Sequence, residues 1–232
     1  MKAAVIIVAA GQGVRMGAEI PKAFVPLGGM PILAHTLRTL SRVPAATELI
    51  VVVAEASLPR LQQLLDRDGP WRLPIQIAIG GAQRQDSVAA GLALVSADTE
   101  LVAVHDAARP FVSPDCVSAA IEAAAAHGAA LLALPSQDTV KLVDDRGVVT
   151  ATPPRSTVWL AQTPQVFRTA LLRQAHARAR SYGLSATDDA ALVEQLGVPV
   201  RVVPGNPANV KLTTPDDLHW AEWYLREHPT LR

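Results

Sequence analysis

The chain has 232 residues, of which 50% are hydrophobic and 18% are charged, and its formal net charge is zero. This length and apolar content are typical of one globular domain, which we place at residues 1–232. A chain without net charge has no long-range attraction for nucleic acid or an anionic membrane, so we expect neither partner, and any phosphate affinity must be local. The single cysteine, Cys116, excludes an internal disulfide and a cysteine metal cluster. We interpret it as a small buried residue of a cytoplasmic protein.

The first apolar segment, AAVIIVAA at residues 3–10, follows Lys2 and so has some likeness to a short signal peptide. Its β-branched centre and the glycine-rich loop behind it favour a buried parallel strand instead. No run in the sequence approaches the ~20 apolar residues that a membrane-spanning helix needs.

Apolar runs and helical patterns alternate along the chain. Strands are predicted at residues 3–10, 48–54, 74–80, 101–106, 129–135 and 199–204. Helices are predicted at residues 31–43, 57–67, 84–97, 114–128 and 213–228. In the last of these, Thr214 is the expected N-cap and Pro215 the first helical residue. The alternation predicts an α/β fold with a mostly parallel twisted sheet, helices on both faces, and ligands beyond the carboxyl ends of the strands.

Residues 138–163 break the alternation, because no helix can be read in them. Two apolar segments, TVKLV and VVTAT, flank DDRG, which is typical of a hairpin turn. We interpret residues 137–160 as an inserted β-hairpin arm. An ordinary edge hairpin is the alternative, but its exposed apolar side chains would need a cover. A second copy of the chain would supply that cover, so we expect a homodimer through this arm.

The glycines that end the first strand follow the pattern G-x-G-x-x-x-G from Gly11. A dinucleotide fingerprint needs its third glycine one residue earlier and a helix directly after it, and here Pro21 interrupts the helix. The Gly-Lys-Ser/Thr of an ATP-type P-loop is missing as well. What remains is a wide loop of backbone amides, carrying Arg15 and Lys22, that can wrap a triphosphate. A glycine-rich surface loop with two solvated bases is the alternative.

Seven segments in order carry a family resemblance between residues 8 and 218. They are AAGQGVRMG with PKAF, GGAQRQDSVAAGL, VHDAARPF, QDTVK, AQTPQVF, TDDAALVE and NVKLTTPDDL. With them the chain resembles the 2-C-methyl-D-erythritol 4-phosphate cytidylyltransferases of non-mevalonate isoprenoid biosynthesis, which are nucleotidyltransferases of the nucleoside-diphospho-sugar type. The resemblance implies that CMP passes from CTP to methylerythritol phosphate, giving 4-diphosphocytidyl-2-C-methyl-D-erythritol and pyrophosphate.

The nucleophile of this implied reaction is a phosphate monoester oxygen, which is largely dianionic at pH 7 because its second pKa is near ~6. No general base is then needed, which agrees with a sequence that offers no obvious Ser-His-Asp or paired-carboxylate arrangement. The obstacle is the approach of one anion to another. Catalysis should therefore depend on positioning and charge neutralisation.

The resemblance also implies roles for individual residues. The implied catalytic cations are Arg15, Lys22, Arg155 and Lys211. The implied nucleotide-binding residues are Ala9, Ala10, Gly11, Gly13, Gly80, Gly81, Arg84 and Ser87. The implied acceptor-binding residues are Asp106, Arg109, Thr139, Thr163, Thr187 and Asp188. Arg155 is expected to act across the dimer interface.

Asp106 is also the expected Mg²⁺ ligand, because it ends a strand and Mg²⁺ takes one or two carboxylates plus phosphate oxygens. The alternative for Asp106 is a helix cap. His105 beside it is expected to be structural rather than catalytic.

Other functions remain to be weighed against this one. A cytidylyltransferase for another polyol phosphate, such as ribitol 5-phosphate, shares most of these motifs. A nucleotide-binding regulator would not need Arg15, Lys22, Asp106 and Lys211 together. A Rossmann-type oxidoreductase fails on the glycine spacing, and the length leads us to expect no fused second enzyme.

Overall fold

The computed structural model describes residues 1–11 and 20–231. The strands in chain order are β1 (Ala3–Val8), β2 (Pro26–Leu27), β3 (Met30–Pro31), β4 (Ala46–Val53), β5 (Ile75–Ile79), β6 (Leu101–Asp106), β7 (Ala129–Pro135), β8 (Leu142–Val143), β9 (Val149–Ala151), β10 (Trp159–Arg168) and β11 (Arg201–Pro204). The α-helices are α1 (Ile32–Leu40), α2 (Leu58–Asp68), α3 (Arg84–Leu94), α4 (Pro114–His127), α5 (Thr169–Tyr182), α6 (Asp189–Glu194) and α7 (Pro215–Glu227).

The central sheet has seven strands in the order β11-β7-β10-β6-β1-β4-β5. Pairing is parallel between β6, β1, β4 and β5, and between β7 and β11. β10 lies between β6 and β7 and is antiparallel to both. The mostly parallel α/β sheet predicted from the sequence is confirmed, and each of the six predicted strands is present in it.

β10 is the strand that the alternation of apolar runs did not predict. Three of its six buried residues, Gln162, Thr163 and Gln165, are polar, so the strand lacks an apolar signature. Helices α5 and α6, which follow it, were not predicted either. The polar side chains of β10 can therefore be buried because they are hydrogen-bonded, and not because they are hydrophobic.

Helices cover both faces of the sheet, as predicted. One face packs Val5 and Ile7 of β1 against α1, α2 and α4, and the other packs Ala4 and Ile6 against α3, α5 and α6. This alternation is the period of two expected of a strand buried on both sides. Gly91 lets α3 approach closely, because a Cβ there would lie 2.7 Å from Ile6 Cγ2.

The last helix, α7, begins as predicted. Thr214 is its N-cap, and the Thr214 Oγ1 accepts a hydrogen bond from the Asp217 N–H at 3.2 Å. Asp217 in turn accepts from the N–H groups of Thr213 and Thr214 at 2.7 and 2.8 Å. α7 then packs on a third apolar cluster with Leu27 of β2.

The β-hairpin of the arm is present. β8 and β9 form a separate two-stranded antiparallel sheet. Asp144 Oδ1 closes the turn between them by accepting the N–H groups of Arg146 and Val148, and Gly147 there has a φ of 78°, which favours glycine. Residues 141–152 are exposed throughout. Among the helices described, none is long and apolar enough to cross a membrane.

Candidate active site

A pocket of about 210 Å³ lies beyond the carboxyl ends of β1, β5 and β6. Its walls come from the residues after β1, the start of α3, the residues after β6, and two lysines. The lining residues are Val8, Ala9, Ala10, Gly11, Lys22, Ala23, Gly81, Ala82, Gln83, Arg84, Ser87, Asp106, Ala107, Ala108 and Lys211. This is the edge at which open parallel sheets bind ligands.

The start of α3 closes tightly onto the residues that follow β1. A Cβ at Gly80 would lie 2.6 Å from the Ala10 Cβ and 2.7 Å from the Ser87 Oγ. A Cβ at Gly81 would lie 2.4 Å from the Asp86 Cβ. Both glycines are therefore required by close approach, and the N-terminus of α3, where a helix favours anions, reaches the pocket wall.

A second pocket, of about 140 Å³, adjoins the first. The two pockets share three charged residues, Arg84, Asp106 and Lys211. The remaining lining residues of the second pocket are Arg109, Ala161, Gln162, Thr163, Gln165, Thr187 and Asp188. Two compartments with a common charged wall are an arrangement that can hold two substrates next to each other.

Asp106 is the centre of the shared wall. Its Oδ2 lies 2.7 Å from the Lys211 Nζ, and its Oδ1 lies 3.5 Å from the Arg84 Nε. Burial by itself would raise the pKa of Asp106, but Lys211 and then Arg84 outweigh it and lower the pKa to about 2. Asp106 is therefore an anion at neutral pH and holds two cations where the pockets meet.

Arg84 is held from the opposite side by Asp189 of α6, at 2.7 Å from the Arg84 Nη1 to the Asp189 Oδ2. Asp189 is 1% exposed and also pairs with His176 at 3.3 Å. Burial opposes the charge of Arg84, but Asp189 and Asp106 raise its pKa overall. The guanidinium is thus permanently charged and bound between two carboxylates.

His105 is buried behind this wall, and its hydrogen bonds support the structural role expected for it. Its Nε2 donates to the Arg109 carbonyl at 3.1 Å, which leaves Nδ1 to accept from the Thr163 hydroxyl at 3.2 Å. The Thr163 oxygen accepts the Asp106 N–H at 3.0 Å. Burial lowers the pKa of His105 to about 4, so the ring is neutral at pH 7 and supports Asp106 through Thr163.

Comparison with known proteins decides the family. The model of the 2-C-methyl-D-erythritol 4-phosphate cytidylyltransferase family matches residues 3–227. The chain belongs to this family. A curated member from Desulforamulus reducens is 46% identical over 95% of this chain and 94% of its own, and one from Symbiobacterium thermophilum is 46% identical over 96% and 92%.

Solved structures of cytidylyltransferases agree with the fold as well. The crystal structure of the Thermus thermophilus 2-C-methyl-D-erythritol 4-phosphate cytidylyltransferase is 41% identical and has a TM-score of 0.80, covering 97% of this chain and all of that one. The 4-diphosphocytidyl-2C-methyl-D-erythritol synthase of Anaerococcus prevotii has a TM-score of 0.86 at 32% identity, covering 97% and 98%. The chain is accordingly a nucleotidyltransferase.

Most residues with a predicted role meet at the two pockets of this cytidylyltransferase. The first pocket brings together Ala9, Ala10, Gly11, Lys22, Gly81, Arg84, Ser87, Asp106 and Lys211, with Gly80 directly behind them. The second adds Arg109, Thr163, Thr187 and Asp188. Gly13 and Arg15 lie outside the described residues.

Two predicted residues of the cytidylyltransferase, Thr139 and Arg155, line neither pocket. Both are exposed on the arm, and the Arg155 Nη1 donates to the Gln137 carbonyl at 3.0 Å. Their roles stay predictions that a single chain does not test.

Asp188 has a structural task beside its place in the second pocket. Its Oδ1 accepts the Ala191 N–H at 2.9 Å, which caps α6, and its Oδ2 accepts from the Gln165 Nε2 at 2.7 Å. The Gln165 Oε1 accepts the N–H groups of Asp189 and Ala190 at 3.1 and 3.0 Å. Gln165 therefore attaches the start of α6 to β10.

Sequence reasoning missed several residues that position this cytidylyltransferase site. They are Gln162, Gln165, His176, Asp189 and Asn209, all buried. Four of them stand in segments that carried the family resemblance, AQTPQVF, TDDAALVE and NVKLTTPDDL, and their place in these segments was the available signal. His176 offered none.

A Mg²⁺ ion fits the site in one specific way. In the part of the chain described, no group of three or more His, Cys, Asp and Glu residues could hold a metal. Asp106 is a single ionised carboxylate that lines both pockets. Mg²⁺ often takes one carboxylate and completes its shell with water and substrate phosphates, so the site suits a metal that arrives with a nucleotide.

Proposed function

We propose that this chain transfers CMP from CTP to 2-C-methyl-D-erythritol 4-phosphate, with CTP in the first pocket and the acceptor in the second. The observation that carries the assignment of the two pockets is their common wall of Arg84, Asp106 and Lys211. Nucleotide and acceptor then meet where cations are concentrated. The family to which the chain belongs supports the choice of substrates.

The reaction needs no proton acceptor. An oxygen of the dianionic acceptor phosphate attacks the α-phosphorus of CTP, a P–O bond forms, and the bond to pyrophosphate breaks with its electron pair leaving on pyrophosphate. Lys22 on the nucleotide side and Lys211 at the common wall neutralise the charge that develops. Asp106 holds Lys211 and Arg84 in place before the substrates arrive, so little reorganisation is left to the reaction itself.

Mg²⁺ is the cofactor we propose, with Asp106 as its protein ligand. When bound, it would screen the phosphate charge and act as a Lewis acid. We expect activity to vanish on chelation and to return with Mg²⁺, and Asp106→Asn to need a much higher Mg²⁺ concentration for half-maximal rate. An Asp106→Asn enzyme with an unchanged Mg²⁺ titration would remove Asp106 from the metal site, and exposed Asp115→Asn is the control.

The proposed working unit is a cytoplasmic homodimer joined through the arm at residues 137–160. Large apolar side chains on the arm are exposed in the single chain, among them Val143 at 57%, Val148 at 59% and Leu160 at 53%. Soluble proteins rarely leave such a group in water. A partner's arm would cover it, and each arm would then bring its own Thr139 and Arg155 to the second pocket of the other chain.

Pyrophosphate release is the measurement that tests this function. We expect it with CTP and methylerythritol phosphate, and at most weakly when ATP, GTP or UTP replaces CTP. Ribitol 5-phosphate is the alternative acceptor. Faster turnover with ribitol 5-phosphate would transfer the assignment to that substrate, and no release with any pair would refute it.

A further inference from the structure

Asn209 is a fully buried polar residue in the loop between β11 and α7, and it lines neither pocket. Its Nδ2 donates to the Thr163 carbonyl at 2.8 Å and to the Gln162 Oε1 at 3.2 Å, both in β10. Thr163 is 46 positions away in sequence. The side chain therefore joins two distant segments without access to a substrate.

The backbone carbonyl of Asn209 also takes part in hydrogen bonding. It accepts from the Arg109 Nη1 at 2.7 Å, and the Gln162 Nε2 lies 3.4 Å from it. Gln162 also donates to the Asn206 carbonyl at 3.1 Å. Gln162 and Asn209 thus form a reciprocal pair of amides, which we call the amide clamp, between β10 and the loop that carries Lys211.

Gly205 makes room for the amide clamp. A Cβ at this position would lie 2.3 Å from the Gln162 Oε1 and 3.2 Å from its Cδ. The backbone N–H of Gly205 donates to the Ala133 carbonyl at 2.8 Å, so the loop cannot easily withdraw. A side chain here would have to displace Gln162 from Asn209.

We infer that Asn209 is a positioning residue of the acceptor pocket, acting through Thr163 and Arg109. The inference rests on the proposed function, in which that second pocket holds the acceptor. Both residues that Asn209 holds line the second pocket but not the first. Residues 8–11 and 81–87, which supply most of the lining of the nucleotide pocket, make no hydrogen bond to Gln162 or Asn209.

The experiment compares Asn209→Asp with Asn206→Ala. Asn209→Asp keeps the size of the side chain but replaces the donating Nδ2 by an oxygen. That oxygen would face the Thr163 carbonyl and the Gln162 Oε1, neither of which can donate a hydrogen bond to it. We expect kcat/KM for methylerythritol phosphate to fall ~10-fold or more, because small misplacements of binding groups are costly. The CTP dissociation constant, from calorimetric titration, should stay within about twofold. Asn206→Ala is the matched control, since the Asn206 side chain bonds the Ala208 N–H within the same loop.

Gly205→Ala disturbs the clamp by another route and should give the same signature of a weakened acceptor site with normal CTP binding. Unchanged acceptor kinetics in both variants would overturn the inference. So would an equal loss of CTP affinity, or failure of both variants to fold, because these outcomes would show a general structural role. The wild-type enzyme, assayed first, tests the proposed function separately: without turnover there, it is the proposed function that fails.

Discussion

The charged residues of this site are held in ion pairs before any substrate binds. Asp106 shows this, because burial alone would favour its neutral form, and its low pKa comes from Lys211 and Arg84. Arg84 in turn is bound to Asp189. A cation that is held on two sides has little freedom to lose when a polyanion arrives, which suits catalysis by preorganised electrostatics.

Lys22→Ala is predicted to lower turnover far more than CTP affinity. Lys22 lines the nucleotide pocket, and in the proposed function its charge acts mainly where new negative charge develops. Removal of one such donor typically costs ~10²-fold or more in rate. Single-turnover kinetics together with calorimetric CTP binding measure the two effects, with exposed Lys2→Ala as control. Normal turnover with only a raised Michaelis constant would contradict the role.

Asp188 allows its two roles to be separated. Loss of an N-cap typically costs ~1 kcal/mol, so Asp188→Ala should lower the free energy of unfolding by about that amount. Asp188→Ser keeps an oxygen for the Ala191 N–H and should retain most of the stability. Urea unfolding measures this. If Asp188→Ser is as stable as wild type but has a raised acceptor KM, Asp188 binds substrate; if its KM is normal, Asp188 is a cap.

Among the elements, β10 has the largest influence on the site. It enters antiparallel between two strands of the parallel sheet and brings Thr163 to the carboxyl end of β6, beside Asp106. The same strand holds α6 through Gln165 and the last loop through Gln162. Its buried amides are hydrogen-bonded to groups far away in sequence, which explains how a polar strand is stable inside the sheet.

The contact between α1 and β2 predicts a pH effect on stability. His35 is buried, and its Nε2 donates to the Leu27 carbonyl at 2.7 Å. Burial, with a smaller effect of Arg38, lowers the pKa of His35 below its ordinary 6.5. As the pH falls through 6.5, the unfolded chain therefore takes up a proton on His35 before the folded chain does. The free energy of unfolding that is present above this pH is then lost progressively as the pH falls towards the lowered pKa of the folded state.

His35→Gln should reduce that loss, because a glutamine amide can still donate to Leu27 but does not titrate. The measurement is urea unfolding of both proteins between about pH 7.5 and about pH 5. Exposed His127→Gln is the control and should follow the wild type. A His35→Gln protein whose stability declines as steeply as that of the wild type would show that His35 is not the source.

At the scale of the whole molecule, the exposed apolar surface of the arm has no cover within a single chain. The arm's strands β8 and β9 form a sheet separate from the central one, and its apolar side chains are exposed. An isologous two-fold dimer would cover both arms at once, and such dimers are the commonest oligomers. Each active site would then contain Arg155 from the partner.

Mixing two inactive variants tests this arrangement. In a trans arrangement, a mixed dimer of Arg155→Ala and Lys22→Ala chains has one site with both defects and one site with neither. About half the dimers are mixed, so activity should recover to roughly a quarter of wild type. If Arg155 acts within its own chain, every site keeps one defect. No recovery, with subunit exchange confirmed independently, would exclude the shared site but not the cytidylyltransferase activity.

The sequence alone determined the parallel βα framework and the hairpin arm, and it predicted a phosphate-binding role for the loop after β1. Each of these has a local signature, because apolar periodicity and turn residues act over a few positions. Tertiary structure decided the place of β10, the pairing of Asp106 with Lys211, 105 positions later, and the burial of Asn209. Polar side chains satisfied by distant partners look like exposed ones in a sequence, since only the folded chain brings donor and acceptor together.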